Sequence, residues 1–240
     1  MPKAWTDAPK RCLAAGVPPE RIAPREKWRI ALERIDQAHA WRMPEGVVVA
    51  DADYGRVEAF RQELHERRLG FVVGIHRDQV VTPQKLPAPS RPRRTPPGAT
   101  PSPVAVQVLA QVLAPSAWQR MTWREGRRGP MTGRFAAVRV EDAVGGEKAA
   151  LGWLLLEWPE TEPAPTGYWL SNLPPETPLV ELVYLAKIRW MLEQNYPEMK
   201  EELGLDHYEG RGYRGWHHHV TLTFLAYAFL LYMRLHAPSL

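Results

Sequence analysis

Cysteine is almost missing from these 240 residues, with Cys12 its single instance. One thiol closes no disulfide within the chain and builds no thiolate metal cage, which fits a reducing compartment. Long apolar runs are also lacking. The longest, Val220 to Met233, falls short of the roughly 20 residues that cross a bilayer and carries Thr221, Thr223, Tyr227 and Tyr232, so a buried helix is expected there. The opening Met-Pro-Lys-Ala-Trp-Thr-Asp has no apolar core of a secretory signal. A cytoplasmic protein without a membrane partner is therefore expected. Nor is there a large excess of one charge: 31 Lys and Arg against 27 Asp and Glu leave +4, with a pI near 9.3. Such a balance permits a nucleic-acid partner but leaves the case to local clusters.

What is present describes an ordinary globular chain, 45% hydrophobic and 24% charged, long enough for one large or two small domains. Residues 1 to 25, rich in proline and charge, read as a solvated leader. Trp28, Ala31, Leu32, Ile35 and Ala38 recur at three- and four-residue steps and predict a helix over 25–41, closed by Pro44 and Gly46. Val47 to Ala50 is a short β-branched run that suits a strand buried on both faces, with Asp51 at its end, where ligand crevices of open α/β sheets lie. Val57 to Arg68 reads as an amphipathic helix with Phe60 and Leu64 inward, and Phe71 to Ile75 as a second strand, completing a parallel βαβ unit.

Eight prolines with Lys85, Arg91, Arg93 and Arg94 make Pro83 to Pro103 a basic, extended arm. Val104 to Ala114 fits a helix or a strand equally. From 118 to 172, β-rich runs alternate with Gly and Pro turns and predict antiparallel hairpins. Arg120, Arg124, Arg127, Arg128, Arg134 and Arg139 are interleaved there with Trp118 and Trp123, a composition suited to DNA phosphates and unstacked bases and equally to a solvated face. Four segments result: 1–80 around the βαβ unit, a proline-rich basic linker at 81–117, a β-rich insertion at 118–178, and C-terminal helices at 179–240.

The most informative stretch runs from Tyr184 to His219. Drawn as one helix, it places Arg189, Glu193 and Lys200 within about 40° of one another, beside an apolar stripe of Leu185, Ile188, Leu192 and Met199. An Arg and a Glu four apart are most often a solvated pair. Here, however, Arg-x3-Glu-x6-Lys resembles the Tyr-x2-Arg-x3-Glu-x6-Lys signature of Asp-Asp-Glu insertion-sequence transposases. Gly204-Leu-Asp-His-Tyr-Glu-Gly-Arg211 and Arg214-Gly-Trp-His-His-His219 look like their insertion-sequence seven-oh-one branch, and the likeness runs through nearly the whole chain.

The resemblance implies a ribonuclease H-like fold in which three carboxylates hold two divalent ions, Mg²⁺ or Mn²⁺, for DNA cleavage and strand transfer at element ends. Asp51, in Val-Val-Ala-Asp-x-x-Tyr-Gly, matches the second aspartate and Glu193 the glutamate, so these two are the expected catalytic and metal-binding residues. Asp53 would lie on the same side of an extended chain as Asp51 and compete on spacing alone. Arg189, Lys200, Arg211 and Arg214 join Trp123 and Arg120, Arg124, Arg127, Arg128 and Arg134 as expected DNA contacts. Terminal repeats, target DNA, and a further copy or a full-length transposase subunit are the implied partners. His217-His218-His219 invites a metal, but successive helical residues point in different directions and suit phosphate contacts better.

The chain also departs from the pattern. Ala186 replaces the signature tyrosine, and Pro197, between Glu193 and Lys200, is expected to kink the helix. Nothing matches the family's first aspartate; Asp7 has no strand around it. The expectation is thus an α/β chain, a partial ribonuclease H-like fold that lacks its first strands, is N-terminally truncated and is inactive alone, with an open edge on the Val47 to Ala50 strand. A non-catalytic DNA-binding regulator of transposition and a decayed fragment are the rival readings.

Overall fold

The computed structural model describes residues 7–84, 102–126, 129–142 and 150–236. They fall into two compact units, Lys27–Arg189 and Met1–Glu26 with Trp190–Leu240. This grouping is coarser than four successive segments, since it gathers the βαβ unit, both flanks of the proline-rich stretch and the β-rich run into one body.

In the larger unit, the predicted first helix forms as α2 (Lys27–Ala40), after a short α1 (Pro9–Ala14) that belongs to the other unit. Trp28 and Leu32 point inward at the spacing the sequence gives them. Strand β1 (Val48–Ala50), the short helix α3 (Ala52–Gly55), α4 (Glu58–Glu66) and β2 (Phe71–Gly74) follow, and β1 lies parallel to β2 with Val49 opposite Val72. The βαβ reading holds. Burial of β1 differs from expectation: its three residues are only half-buried, because β2 is its one strand neighbour among the described residues. Val48 donates its amide to the Gly70 carbonyl at 2.8 Å, so the amide and carbonyl of Val49 face the open side.

The flanks of the proline-rich stretch are core. Strands β3 (Val80–Pro83) and β4 (Val104–Ala105) pair antiparallel, and α5 (Val106–Val112) follows at once, so Val104 to Ala114 is first strand and then helix. Val81, Val106, Leu109 and Ala110 are buried. Residues 85–101, with Lys85, Arg91, Arg93 and Arg94, lie outside the described residues.

Four antiparallel strands come next: β5 (Gln119–Gly126), β6 (Gly129–Asp142), β7 (Ala150–Pro159) and β8 (Gly167–Ser171). They extend the first sheet, because β8 pairs with β2 through Val72 and Ser171 and β6 pairs with β3 through Thr82 and Glu141. The eight-stranded order is β1-β2-β8-β7-β6-β3-β4, with β5 alongside β6. Helix α6 (Leu179–Ile188) returns over the sheet.

Two apolar clusters cover the two faces of that sheet. One gathers Trp28, Phe60, Leu64, Phe71, Val73, Leu109, Leu154 and Leu156; the other gathers Phe135, Leu155, Leu182 and Val183 with Trp123, Trp153 and Trp169. Successive residues of a strand point to opposite faces, which is why Leu154, Leu155 and Leu156 run together and are all buried. The result is an α/β architecture with a curled, mixed sheet, consistent with a partial ribonuclease H-like fold.

In the smaller unit, α1 corrects the solvated-leader reading. Cys12 and Val17 are buried, and the Ala15 carbonyl accepts the Tyr213 amide at 2.7 Å. Helices α7 (Trp190–Glu201) and α8 (Tyr213–His236) complete it. The long helix drawn from Leu185 to Lys200 is two: α6 stops at Ile188 and α7 starts at Trp190, while α7 passes through Pro197 without ending. Leu192 is consequently exposed, not part of a buried stripe. The Val220 to Met233 segment is helical as expected but far from buried, with Thr223 and Tyr227 its only buried residues. No helix among the described residues is long and apolar enough to cross a membrane.

Candidate active site

Asp51 leaves β1 and caps the N-terminus of α3, its Oδ1 accepting the Asp53 amide at 3.0 Å. Because the chain turns helical at Ala52, Asp53 is carried away from Asp51 and stands exposed, so the extended-chain comparison of the two acids does not apply.

Two glycines fix that turn. A Cβ on Gly55 would lie 1.9 Å from the Gly74 carbonyl oxygen, and one on Gly74 would lie 3.0 Å from the Ala52 amide nitrogen. Only bare backbone lets α3 press against the end of β2, and this close approach holds Asp51 at the C-terminal end of the parallel pair. Arg61, 1% exposed, donates to the Gly55 carbonyl from below, and Tyr54 packs its ring 5.7 Å from Phe60. Sequence reading found Tyr54 and Gly55 through the motif but missed Arg61. The signal was there: Phe60, Arg61 and Leu64 share one helical stripe, so an arginine was being carried inward.

The opposite side of Asp51 is met by Arg189, 138 residues later. Its Nη1 donates to Oδ2 at 3.4 Å, and both side chains are partly exposed. Immediately upstream, Lys187 on α6 is paired with Glu157 on β7; both are largely buried. The Lys187 ammonium sits 4.6 Å from the Trp123 ring centroid and 5.5 Å from that of Trp169, the cation–π placement that stabilises a desolvated charge. This pair anchors the end of α6 from which Arg189 reaches Asp51.

The expected DNA contacts divide. Arg120 is paired with Glu160, an interaction that holds the Glu160 carboxyl below its usual range. Arg134 stacks over Trp158 at 4.0 Å, and Trp118 meets the same ring edge-on at 5.5 Å. Arg124 lies at the β-bulge between Thr122 and Arg124 in β5, whereas Trp123 points to the Lys187 side. Arg127 and Arg128 lie outside the described residues. Glu193 and Lys200 are exposed on α7, and Arg211 and Arg214 are exposed at the approach to α8, all in the smaller unit. In that unit His219 shares a hydrogen bond with the Gly204 carbonyl at 2.9 Å, and His217 packs edge-on against Tyr213 and Trp216.

Asp51 offers hard oxygens of the kind Mg²⁺ or Mn²⁺ takes. Both of them accept hydrogen bonds from the protein, and among the described residues no three His, Cys, Asp or Glu side chains are gathered to hold an ion. The residues so placed do not amount to a complete divalent-ion centre.

None of the curated proteins matches the sequence. The family model described as DDE superfamily endonuclease matches residues 1–130, a span that contains Asp51 and its turn but neither Arg189 nor Glu193. With more than half of its length in that match, and an aspartate fixed at the end of a parallel strand pair, the chain belongs to the DDE superfamily endonucleases, transposase-type nucleases that act on DNA.

Proposed function

We propose that this chain is a transposase of an insertion sequence of the seven-oh-one branch, a group that cleaves and transfers strands at element ends, and that it is inactive alone because nothing in it matches the family's first aspartate. The observation that supports it best is the Asp51–Arg189 contact. Two residues singled out by separate parts of the resemblance, 138 positions apart, meet in one unit. Asp51 and Glu193 are the proposed catalytic carboxylates, Glu193 following Arg189 by four residues in the chain. The proposed ion is Mg²⁺ or Mn²⁺, for which two carboxylates are a partial ligand set.

Arg189 is suited to a second partner. A guanidinium has five N–H donors in a planar fork, and a phosphodiester competes with Asp51 for them. Lys200, Arg211 and Arg214 are proposed to meet DNA phosphates with the β5–β6 arginines Arg120, Arg124, Arg127, Arg128 and Arg134; Trp123 has the weakest support, since its ring packs near Lys187.

The test is binding and cleavage of duplexes carrying the terminal repeats that flank the reading frame. Affinity should fall steeply with salt, as counterion release requires. With Mg²⁺ or Mn²⁺ present, the chain alone should leave the repeat ends intact, nicking should appear when a full-length transposase subunit is added, and Asp51→Asn should lower that nicking without weakening binding. Salt-dependent binding with no nicking under any condition points to a non-catalytic regulator, and absence of salt-dependent binding overturns the DNA reading altogether.

A further inference from the structure

The segment from Gly204 to Gly215 runs from the end of α7 into the first turn of α8 and is built around Tyr208. Four of its twelve residues are glycine, and glycine has the most backbone freedom to lose, so composition alone makes this a loose connection. The contacts of Tyr208 oppose that freedom. Its hydroxyl donates to the Gly212 carbonyl at 2.9 Å and closes a turn over Glu209, Gly210 and Arg211. The same carbonyl accepts the Trp216 amide at 3.0 Å, which joins the turn to α8. A Cβ on Gly210 would lie 2.4 Å from the hydroxyl oxygen and one on Gly215 2.3 Å from it, so the phenol fills the space that two side chains would need. The entry to the loop is tied as well: Gly204 takes a φ of 64°, its carbonyl meets His219 Nε2 at 2.9 Å, and the His219 ring lies 5.7 Å from that of Tyr208. Two arginines stand on this frame, Arg211 between two glycines and Arg214 on the first turn of α8. Both are exposed, and among the described residues neither is ion-paired.

We infer that Tyr208 is a positioning residue for DNA: it pins the loop so that Arg211 and Arg214 meet phosphates from a backbone already in place. The inference rests on the DNA reading above and names a residue which that reading leaves out. Ordering a glycine-rich segment at the moment of binding subtracts from affinity, and a loop ordered beforehand avoids that loss. Core packing does not account for Tyr208, since it is only half-buried and belongs to neither apolar cluster. From Tyr208 to Trp216 the two arginines face a single acid, Glu209, so the pinned loop carries net positive charge.

A mutant cycle on the full chain tests it, read as affinity for the terminal-repeat duplex across a salt series. Tyr208→Ala should weaken binding about tenfold and make the salt dependence shallower by about one to two phosphates, as the Arg211→Ala, Arg214→Ala double variant does. Because the tyrosine acts through those arginines, adding Tyr208→Ala to the double variant should cost less than about twofold more. Trypsin gives a readout without DNA: the Arg211–Gly212 bond should resist cleavage in the parent and be cut in Tyr208→Ala. Should Tyr208→Ala fail to fold, Tyr208→Phe decides, since it keeps the ring and removes only the hydrogen bond to Gly212; it should move affinity and cleavage the same way by about threefold. Costs of the tyrosine and arginine changes that simply add, or equal cleavage of parent and variant at Arg211, overturn the inference and leave the DNA reading standing. A parent with no salt-dependent binding overturns both.

Discussion

Gly55 shows how much one missing methyl decides. Its carbonyl is held by a buried arginine, and its Cα is so close to β2 that a Cβ would overlap the Gly74 carbonyl oxygen. Gly55→Ala should therefore force α3 off the strand and cost about 1–3 kcal/mol, the usual range for overpacking, measurable by urea denaturation. The same displacement moves the carboxylate of Asp51, so nicking measured with a full-length transposase subunit present should fall more sharply than thermal stability. Arg61 is a different kind of residue. It is a buried cation whose neighbours determine its position, and a linear pattern records only that it shares a stripe with Phe60 and Leu64.

At the scale of elements, two ion pairs join pieces distant in sequence. Lys187 ties α6 to β7 through Glu157 with both charges removed from water. Breaking one side of such a pair leaves the other buried and uncompensated, so Lys187→Met should cost about 3 kcal/mol, and Glu157→Gln added to it should restore most of that loss. A double-mutant denaturation series measures both. Arg67 ties α4 to α2, gripping Asp36 with two N–H groups at 2.8 and 3.1 Å. The hydrogen bonds from Arg67 lower the Asp36 pKa beneath its ordinary value. A lowered folded-state pKa gives stability that is present above the unfolded value and lost as pH falls through the folded one. Being half exposed, the pair should contribute roughly 0.5–1 kcal/mol above pH 5, and the difference between the parent and Asp36→Asn should begin to shrink below about pH 4 and vanish only once the pH is below the lowered folded-state pKa. Neither pair was legible beforehand. Helix α2, α4 and the βαβ unit were, because their apolar periods are local, and the hairpins were, because their turns are. Helix α6 ended early for a reason that periodicity does not encode: Arg189 closes it while engaging Asp51, and Leu192 then has nothing to cover it. Asp51 and Arg189 were singled out by the motifs; the close approach of Gly55 to Gly74 and the pairing of Lys187 with Glu157 join separate elements and leave no trace in a local pattern.

For the whole molecule, both apolar clusters lie within Lys27–Arg189, as does the Asp51–Arg189 contact. A fragment of those residues should unfold in one cooperative step, with tryptophan fluorescence and far-ultraviolet circular dichroism changing together; separate transitions would show that the core depends on the rest of the chain. The sheet of that unit also has a particular kind of border. Its outermost strands, β1 and β4, are three and two residues long, and the longer outer rim on β5 is broken by a bulge and lined by Arg120, Arg124 and Glu125. Fibril growth by cross-β stacking needs uninterrupted segments of about six residues. These rims are too brief or too kinked to template one, so a crowded solution of folded molecules gains no foothold for amyloid.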